Sequence, residues 1–139
     1  MLVITRQNIL LSVEFFAIWQ RNKLLILELP HPPSVNTFWR ANGKRRFISS
    51  EGRKFKEAVA DYVIANQIPK LGSARLKVLI HFHPRDRRAT DLDNRLKGVL
   101  DALQDAGVYD DDEQIDHLTI KRAAIKSGGG ITVALEILE

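Results

Sequence analysis

A chain of 139 residues, 45% apolar and 27% charged, can build one hydrophobic core and is too apolar for general disorder. It has no cysteine, which excludes disulfides, thiolate metal sites and cysteine nucleophiles and fits a reducing cytoplasm. The excess of 21 Lys and Arg over 17 Asp and Glu is modest, but its spread is uneven: Arg40–Lys56 carries seven basic residues against Glu51, and Asp91–Asp116 carries nine acidic residues against Arg95 and Lys97. A basic half and an acidic half suggest two tasks, holding a polyanion and holding a cation, although a charge run can also be plain solvated surface.

In chain order, "NILLSVEFFAIW" (Asn8–Trp19) is apolar but broken by Glu14. It is shorter than the roughly 20 residues of a membrane span and lacks a signal-peptide cleavage site. Ile9, Val13 and Phe16 share a helical stripe, so residues 1–22 are expected to be a helical extension packing on the body or on a partner subunit. No membrane association is expected. "KLLILELP" (Lys23–Pro30) reads as a strand entering the core. "HPPSVN" (His31–Asn36) is expected to be irregular because of its adjacent prolines. "TFWRANGKRRFIS" contains Asn42-Gly43 and predicts a β-hairpin with its tip near Gly43 and basic arms. Trp39 and Phe47 on those arms could stack on an opened base, with a core role the simpler reading.

Phe55, Val59, Tyr62 and Val63 predict a helix over residues 49–67, capped by Ser49 or Ser50. "ARLKVLIHFHP" alternates as a strand with Leu76, Val78, Ile80 and Phe82 on one face. Leu92, Leu96, Val99, Leu100 and Leu103 predict an amphipathic helix from Thr90 or Asp91 to near Gly107. "HLTIKRAAI" and "ITVALEIL" read as a final strand pair joined by a turn at Ser127–Gly130. The whole is expected to be α+β: a single small domain over residues 23–139, with a mixed β-sheet and two main helices packed on it.

On that helix Asp93, Lys97 and Asp101 fall on one face at intervals of four. If the chain folds back after Gly107, one of Asp110, Asp111 and Asp112 can meet Asp91 and Asp93. Several carboxylates without imidazole or thiolate are a hard-ligand set suited to Mg²⁺ or Mn²⁺, and such sets serve phosphodiester cleavage. Lys97 could orient the water or meet developing negative charge. The simpler alternative stays open: aspartates in a first helical turn favour the helix dipole by about 0.3–1 kcal/mol each, and "DDDE" is a common solvated turn. The spacing does not match an EF-hand loop. His81 and His83 lack a second ligand pair for zinc and read as partly exposed strand residues near a phosphate path.

The composite "RRATDLDNRLKGVLDALQDAGVYDDDEQID" resembles the RusA family of Holliday junction resolvases. The matching features are D-L-D-N, a lysine four residues after the second aspartate, D-A-L, A-G, and a closing D-D with Gln two residues beyond. "LPHPPSVNTFWR" and "ISSEGRKFK" resemble the same family in order, so the likeness runs from Leu29 to the C-terminus. It implies a small homodimeric Mg²⁺-dependent endodeoxyribonuclease of prophage type, with Mn²⁺ as a substitute ion. Its substrate would be branched DNA in the cytoplasm, resolved by paired nicks during recombination and repair. It further implies Asp91, Asp93 and Asp112 as metal ligands and catalytic acids, Asp111 as an assisting neighbour and Lys97 as the catalytic lysine. "YDDDE" has one aspartate more than the family's usual pair, and the first 22 residues have no counterpart. DNA contacts are expected from Arg40, Lys44, Arg45, Arg46, Arg53, Lys54, Arg85, Arg87 and Arg88. The alternatives are a non-catalytic DNA-binding phage protein with a structural metal or helix-capping acids, and a phosphohydrolase acting on a small phosphate ester.

Overall fold

The computed structural model describes residues 23–138. The helix expected within residues 1–22 lies outside the described residues. The leucine-rich run forms β1 (Leu24–Leu29). His31–Ser34 is irregular, as its prolines require, but the chain then makes a single helical turn, α1 (Val35–Phe38), where continued irregular chain and a hairpin arm were expected. The turn drives Phe38 fully into the core. Phe38 fits there because two facing helix positions carry no side chain: a Cβ on Gly98 would stand 2.6 Å from its ring, and one on Gly52 2.7 Å from its carbonyl oxygen.

The hairpin follows as β2 (Trp39–Asn42) and β3 (Arg45–Ile48), with Asn42 paired to Arg45. Its turn residues are therefore Gly43 and Lys44, and Gly43 adopts φ +64, as a type II′ turn asks of its first residue. Helix α2 (Ser50–Ala65) is capped by Ser49, whose Oγ accepts the Gly52 amide at 3.0 Å and donates to the Phe38 carbonyl at 2.9 Å. Strand β4 (Leu76–His83) alternates as its sequence predicts. Helix α3 (Asp93–Asp105) starts two or three residues later than expected: Leu92 holds the cap position, and Asp91 lies outside the helix. A short 3-10 turn (Asp112–Gln114) leads into β5 (Ile115–Arg122), and β6 (Gly130–Ile137) ends the fold.

The four-stranded sheet has the order β1-β6-β4-β5, and the hairpin is a separate two-stranded sheet. The expected pairing of the last two strands does not occur. β5 runs parallel to β4 on one side, through the α3 crossover, and β6 runs antiparallel to β4 on the other. The reason is burial: β4 and β6 each offer a row of fully buried residues, whereas β5 is largely exposed and suits the edge. The Ser127–Gly130 segment therefore bridges across β4 and does not close a hairpin. One face of the sheet (Leu25, Leu27, Leu29, Val78, Ile80, Phe82, Ile131, Val133, Leu135) forms a single core with Phe55 and Val59 of α2 and Val99 and Leu103 of α3. The molecule is an α+β single small domain. Among the described residues, no helix is long and apolar enough to cross a membrane.

Candidate active site

The acidic stretch is partitioned by the fold. Asp105 pairs with Lys56 of α2. Asp116 and Glu113 share Arg75, which approaches Glu113 at 3.2 Å. Asp101 and Asp112 share Lys97: its Nζ donates to Asp101 Oδ1 at 3.0 Å and to Asp112 Oδ2 at 3.4 Å. Among the described residues, Asp91, Asp93, Asp110 and Asp111 have no ion pair. Unneutralised carboxylates thus gather at the entrance to α3 and in the loop beyond its end.

That loop is brought back by buried polar anchors. Tyr109 is 1% exposed, and its hydroxyl donates to the Leu100 carbonyl at 2.7 Å. Burial, together with the charges of Asp112, Asp101 and Asp111, pushes its pKa far above the usual tyrosine range, so it remains a phenol. Gln114 is 3% exposed and uses both ends of its amide. Its Oε1 accepts the amides of Asp110 (3.1 Å) and Asp111 (2.9 Å), while Nε2 donates to the carbonyls of Gly72 (2.8 Å) and Ala74 (2.6 Å). The Asp112 amide donates to Gln104 Oε1 of α3 at 3.0 Å. Asp111 spends one carboxylate oxygen capping the 3-10 turn through the Glu113 amide. Asp112 instead turns its carboxylate to Lys97, so the two neighbouring acids face different work.

Asp93 opens α3, and Lys97 lies one turn further along the same face. Asp91, just before the helix, accepts only a long 3.4 Å contact from Asn94 Nδ2. The hydrogen bond with Asp101, and then the charges of Asp101 and Asp112, raise the Lys97 pKa above its ordinary value despite some burial, so the ammonium persists through neutral pH. Among the described residues, no three Asp, Glu or His side chains stand together closely enough to hold one ion. Asp112 reaches the face of α3 that carries Asp93, but it is held there by Lys97. The donor chemistry still suits a hard divalent cation: oxygen ligands only, with Asp91 and Asp93 exposed and free of competing cations.

All nine basic residues expected to touch DNA are exposed. They occupy three places: the hairpin (Arg40, Lys44, Arg45, Arg46), the start of α2 (Arg53, Lys54) and the β4–α3 loop (Arg85, Arg87, Arg88). Arg88 is committed to Asp86 at 2.8 Å. Trp39 packs against the core under Arg46, which lies 5.6 Å from its ring centroid, while Phe47 is 47% exposed, so the core reading holds for only the first. His83 Nδ1 lies 2.8 Å from the Ala124 carbonyl, and neither His81 nor His83 joins a metal-holding group among the described residues. Sequence reasoning gave no role to Gln104, His31 or Arg95. A glutamine in the last turn of a helix looks like ordinary helix surface, and Arg95 reads only as a charge opposing the acids.

The family described as Endodeoxyribonuclease RusA matches residues 30–136. A protein of Enterobacteria phage HK97 named crossover junction endodeoxyribonuclease rusA is 37% identical over 111 residues, covering 80% of this chain and 92% of that one. The protein of that name from Escherichia coli (strain K12) is 36% identical over 110 residues, covering 78% of this chain and 91% of that one. Enterobacteria phage 82 has a similar relative, 36% identical over 110 residues. With the family matched over most of its length, and with relatives that it spans almost end to end, this chain belongs to the RusA family of endodeoxyribonucleases.

Proposed function

We propose that this protein is a structure-selective endodeoxyribonuclease that resolves Holliday junctions by paired symmetric nicks in DNA recombination and repair. The observation that carries the reading is the return of the Asp112 loop to the face of α3 bearing Asp93 and Lys97. A sequence-distant acid thereby reaches Lys97, one helical turn beyond Asp93, in a chain of this family.

Asp91, Asp93 and Asp112 would hold Mg²⁺, with Mn²⁺ as a substitute and Asp111 as a neighbouring acid that assists. When bound, the ion activates a water for attack and offsets charge on the scissile phosphate. The chain's own residues prepare that step. Gln114 and Gln104 fix the loop so that the Asp112 carboxylate stays on the α3 side. Lys97 acts as a fixed positive charge for the developing oxyanion and not as a base, because its hydrogen bond to Asp101 favours the charged form. Basic residues of the hairpin, α2 and the β4–α3 loop grip phosphates and set register, which makes affinity fall steeply with salt.

Opposed nicks on a four-way junction call for two sites related by a two-fold axis, so the active species is a homodimer. The nuclease domain comprises residues 23–139, and the enzyme works in the cytoplasm, where its DNA is. The rival reading, junction binding without cleavage, draws on the Lys97–Asp101–Asp112 bridge acting as a purely structural clamp. Incubation with a synthetic four-way junction and with linear duplex, with and without Mg²⁺, separates them. Symmetric nicks in the junction alone, dependent on the ion, are the expected result; binding without any nick would leave only the rival.

A further inference from the structure

Beside the proposed metal ligands, the segment after β1, the β4–α3 loop and the start of α3 enclose a cavity of about 210 Å³, in which Arg85 of the phosphate-gripping loop meets His31 and Arg95, to which the mechanism above gives no role. Arg95 is built into its wall. The guanidinium lies 5.6 Å from the centroid of the Phe82 ring. Its Nη1 donates to the Pro32 carbonyl at 2.7 Å, and Nε and Nη2 donate to the Thr90 hydroxyl at 3.3 and 3.2 Å. Three of its five N–H donors are thus used, leaving two. No carboxylate pairs with it among the described residues, although it is half-buried.

A second free cation shares the cavity. Arg85 is exposed and makes no hydrogen bond or ion pair among the described residues. Burial and the Arg85 charge both work against the positive charge of Arg95. His31 stands between them, its ring tilted against Phe82 at 5.4 Å between centroids. The backbone of Gly129 closes on the same ring, where a Cβ would overlap it. Burial, then Arg95 and Arg85, lower the His31 pKa, with Asp86 opposing. Arg88 and Asp86 also line the cavity but neutralise each other. Two guanidinium groups line one cavity with no ion pair of their own among the described residues, one of them half-buried and the single carboxylate of the lining, Asp86, bonded to Arg88, an arrangement that an incoming anion relieves.

We propose that the cavity formed by Arg95, Arg85, His31 and Thr90 is a phosphate seat. It takes a backbone phosphodiester of the DNA next to the linkage being cut. The two spare donors of Arg95 and the fork of Arg85 match the oxygens of a phosphate, and the imidazole adds one N–H. Thr90 is bonded directly to Asp91, so the seat adjoins the proposed metal ligands. The groove continues past the same three side chains to Lys54 of α2, giving the strand a path. That the bound phosphate belongs to DNA rests on the nuclease reading; that the cavity binds an anion does not.

Two measurements on the full-length chain test this. In the first, the His31 ring is followed by NMR during titration with inorganic phosphate, chloride being used to keep ionic strength constant. The expected result is a saturable shift and an upward move of the His31 titration midpoint, both lost in Arg95→Gln. In the second, a labelled four-way junction is bound in Ca²⁺ and followed by fluorescence anisotropy across a salt series. Arg95→Gln and Arg85→Gln should each weaken binding about tenfold and lower the log K against log salt slope by about one. Arg85 has no structural bond to lose, so its variant decides the matter even if Arg95→Gln folds poorly. If His31 responds to phosphate but Arg85→Gln binds the junction with wild-type affinity and slope, the seat serves free phosphate esters and the proposal is wrong. It is equally wrong if His31 shows no saturable shift. Junction binding that depends on Arg85, without cleavage by the wild type, would instead overturn the nuclease reading and leave the seat standing.

Discussion

At the C-terminal end of α3 the acidic loop is anchored through its backbone: Gln114 bonds four backbone groups, Gln104 holds the Asp112 amide, Asp111 caps a turn and Tyr109 ties to Leu100. At the N-terminal end the opposite holds. Among the described residues Asp91 and Asp93 pair with no cation, and Arg85 and Arg95 pair with no anion, although the four lie within eleven residues of one another. One end is anchored by its own hydrogen bonds and leaves only the acids Asp110 and Asp111 unpaired among the described residues, and the other leaves charges of both signs unspent. On the proposed function, the difference separates the part of the chain that positions from the part that would take a metal and a phosphate.

The contrast can be broken in graded steps. Asp93→Asn removes a free carboxylate from the open end and should reduce junction cleavage at least about 10³-fold, ~4 kcal/mol in the barrier. Junction binding in Ca²⁺ and the melting temperature should stay at wild-type values; single-turnover cleavage assays and calorimetry check both. Lys97→Ala takes away one fixed positive charge and should slow cleavage by about 10²–10³. In the wild type, the rate should show no fall from lysine deprotonation as pH rises through neutrality, because the hydrogen bond to Asp101 raises the Lys97 pKa and favours its charged form.

At the closed end the expected losses are in stability. Gln114→Ala strands two carbonyls and two amides around a buried position and should cost about 3 kcal/mol, read as a lowered urea midpoint. Gly98→Ala forces a Cβ against the Phe38 ring and should cost about 1–3 kcal/mol by the same measurement. Arg75→Gln breaks only the exposed contacts to Glu113 and Asp116 and should leave the midpoint unchanged. A large effect at Arg75, or none at Gln114, would erase the distinction between the two ends.

Much of this was readable in the residues because it depends on short-range rules. The alternation of Leu76, Val78, Ile80 and Phe82, the leucine stripe of α3, the Ser49 cap and the glycine turn of the hairpin are local patterns that the fold keeps. The placement of β5 and β6 was not readable in the same way. Adjacent strands joined by glycines look like a hairpin, and only competition for the buried centre puts β4 between them. The helical turn at Val35–Phe38 escaped for a similar reason, since it exists to send Phe38 into a slot that glycines from two distant helices create. At the candidate site, the residue types of Asp91, Asp93, Lys97 and Asp112 stood out in the sequence. The supports Gln104 and Gln114, and the cavity around Arg95 and His31, depend on segments far apart in the chain, which spacing cannot register.

On the proposed function, the acids at the head of α3 and the anchored Asp112 together hold a divalent ion. An anomalous difference map from crystals grown with Mn²⁺ tests it most directly. The account predicts a peak bonded to carboxylate oxygens of Asp91, Asp93 and Asp112, with Lys97 released from Asp112 towards the substrate side. A map with the metal elsewhere, or with Lys97 still bridging Asp101 and Asp112 and no ion beside Asp93, would contradict it.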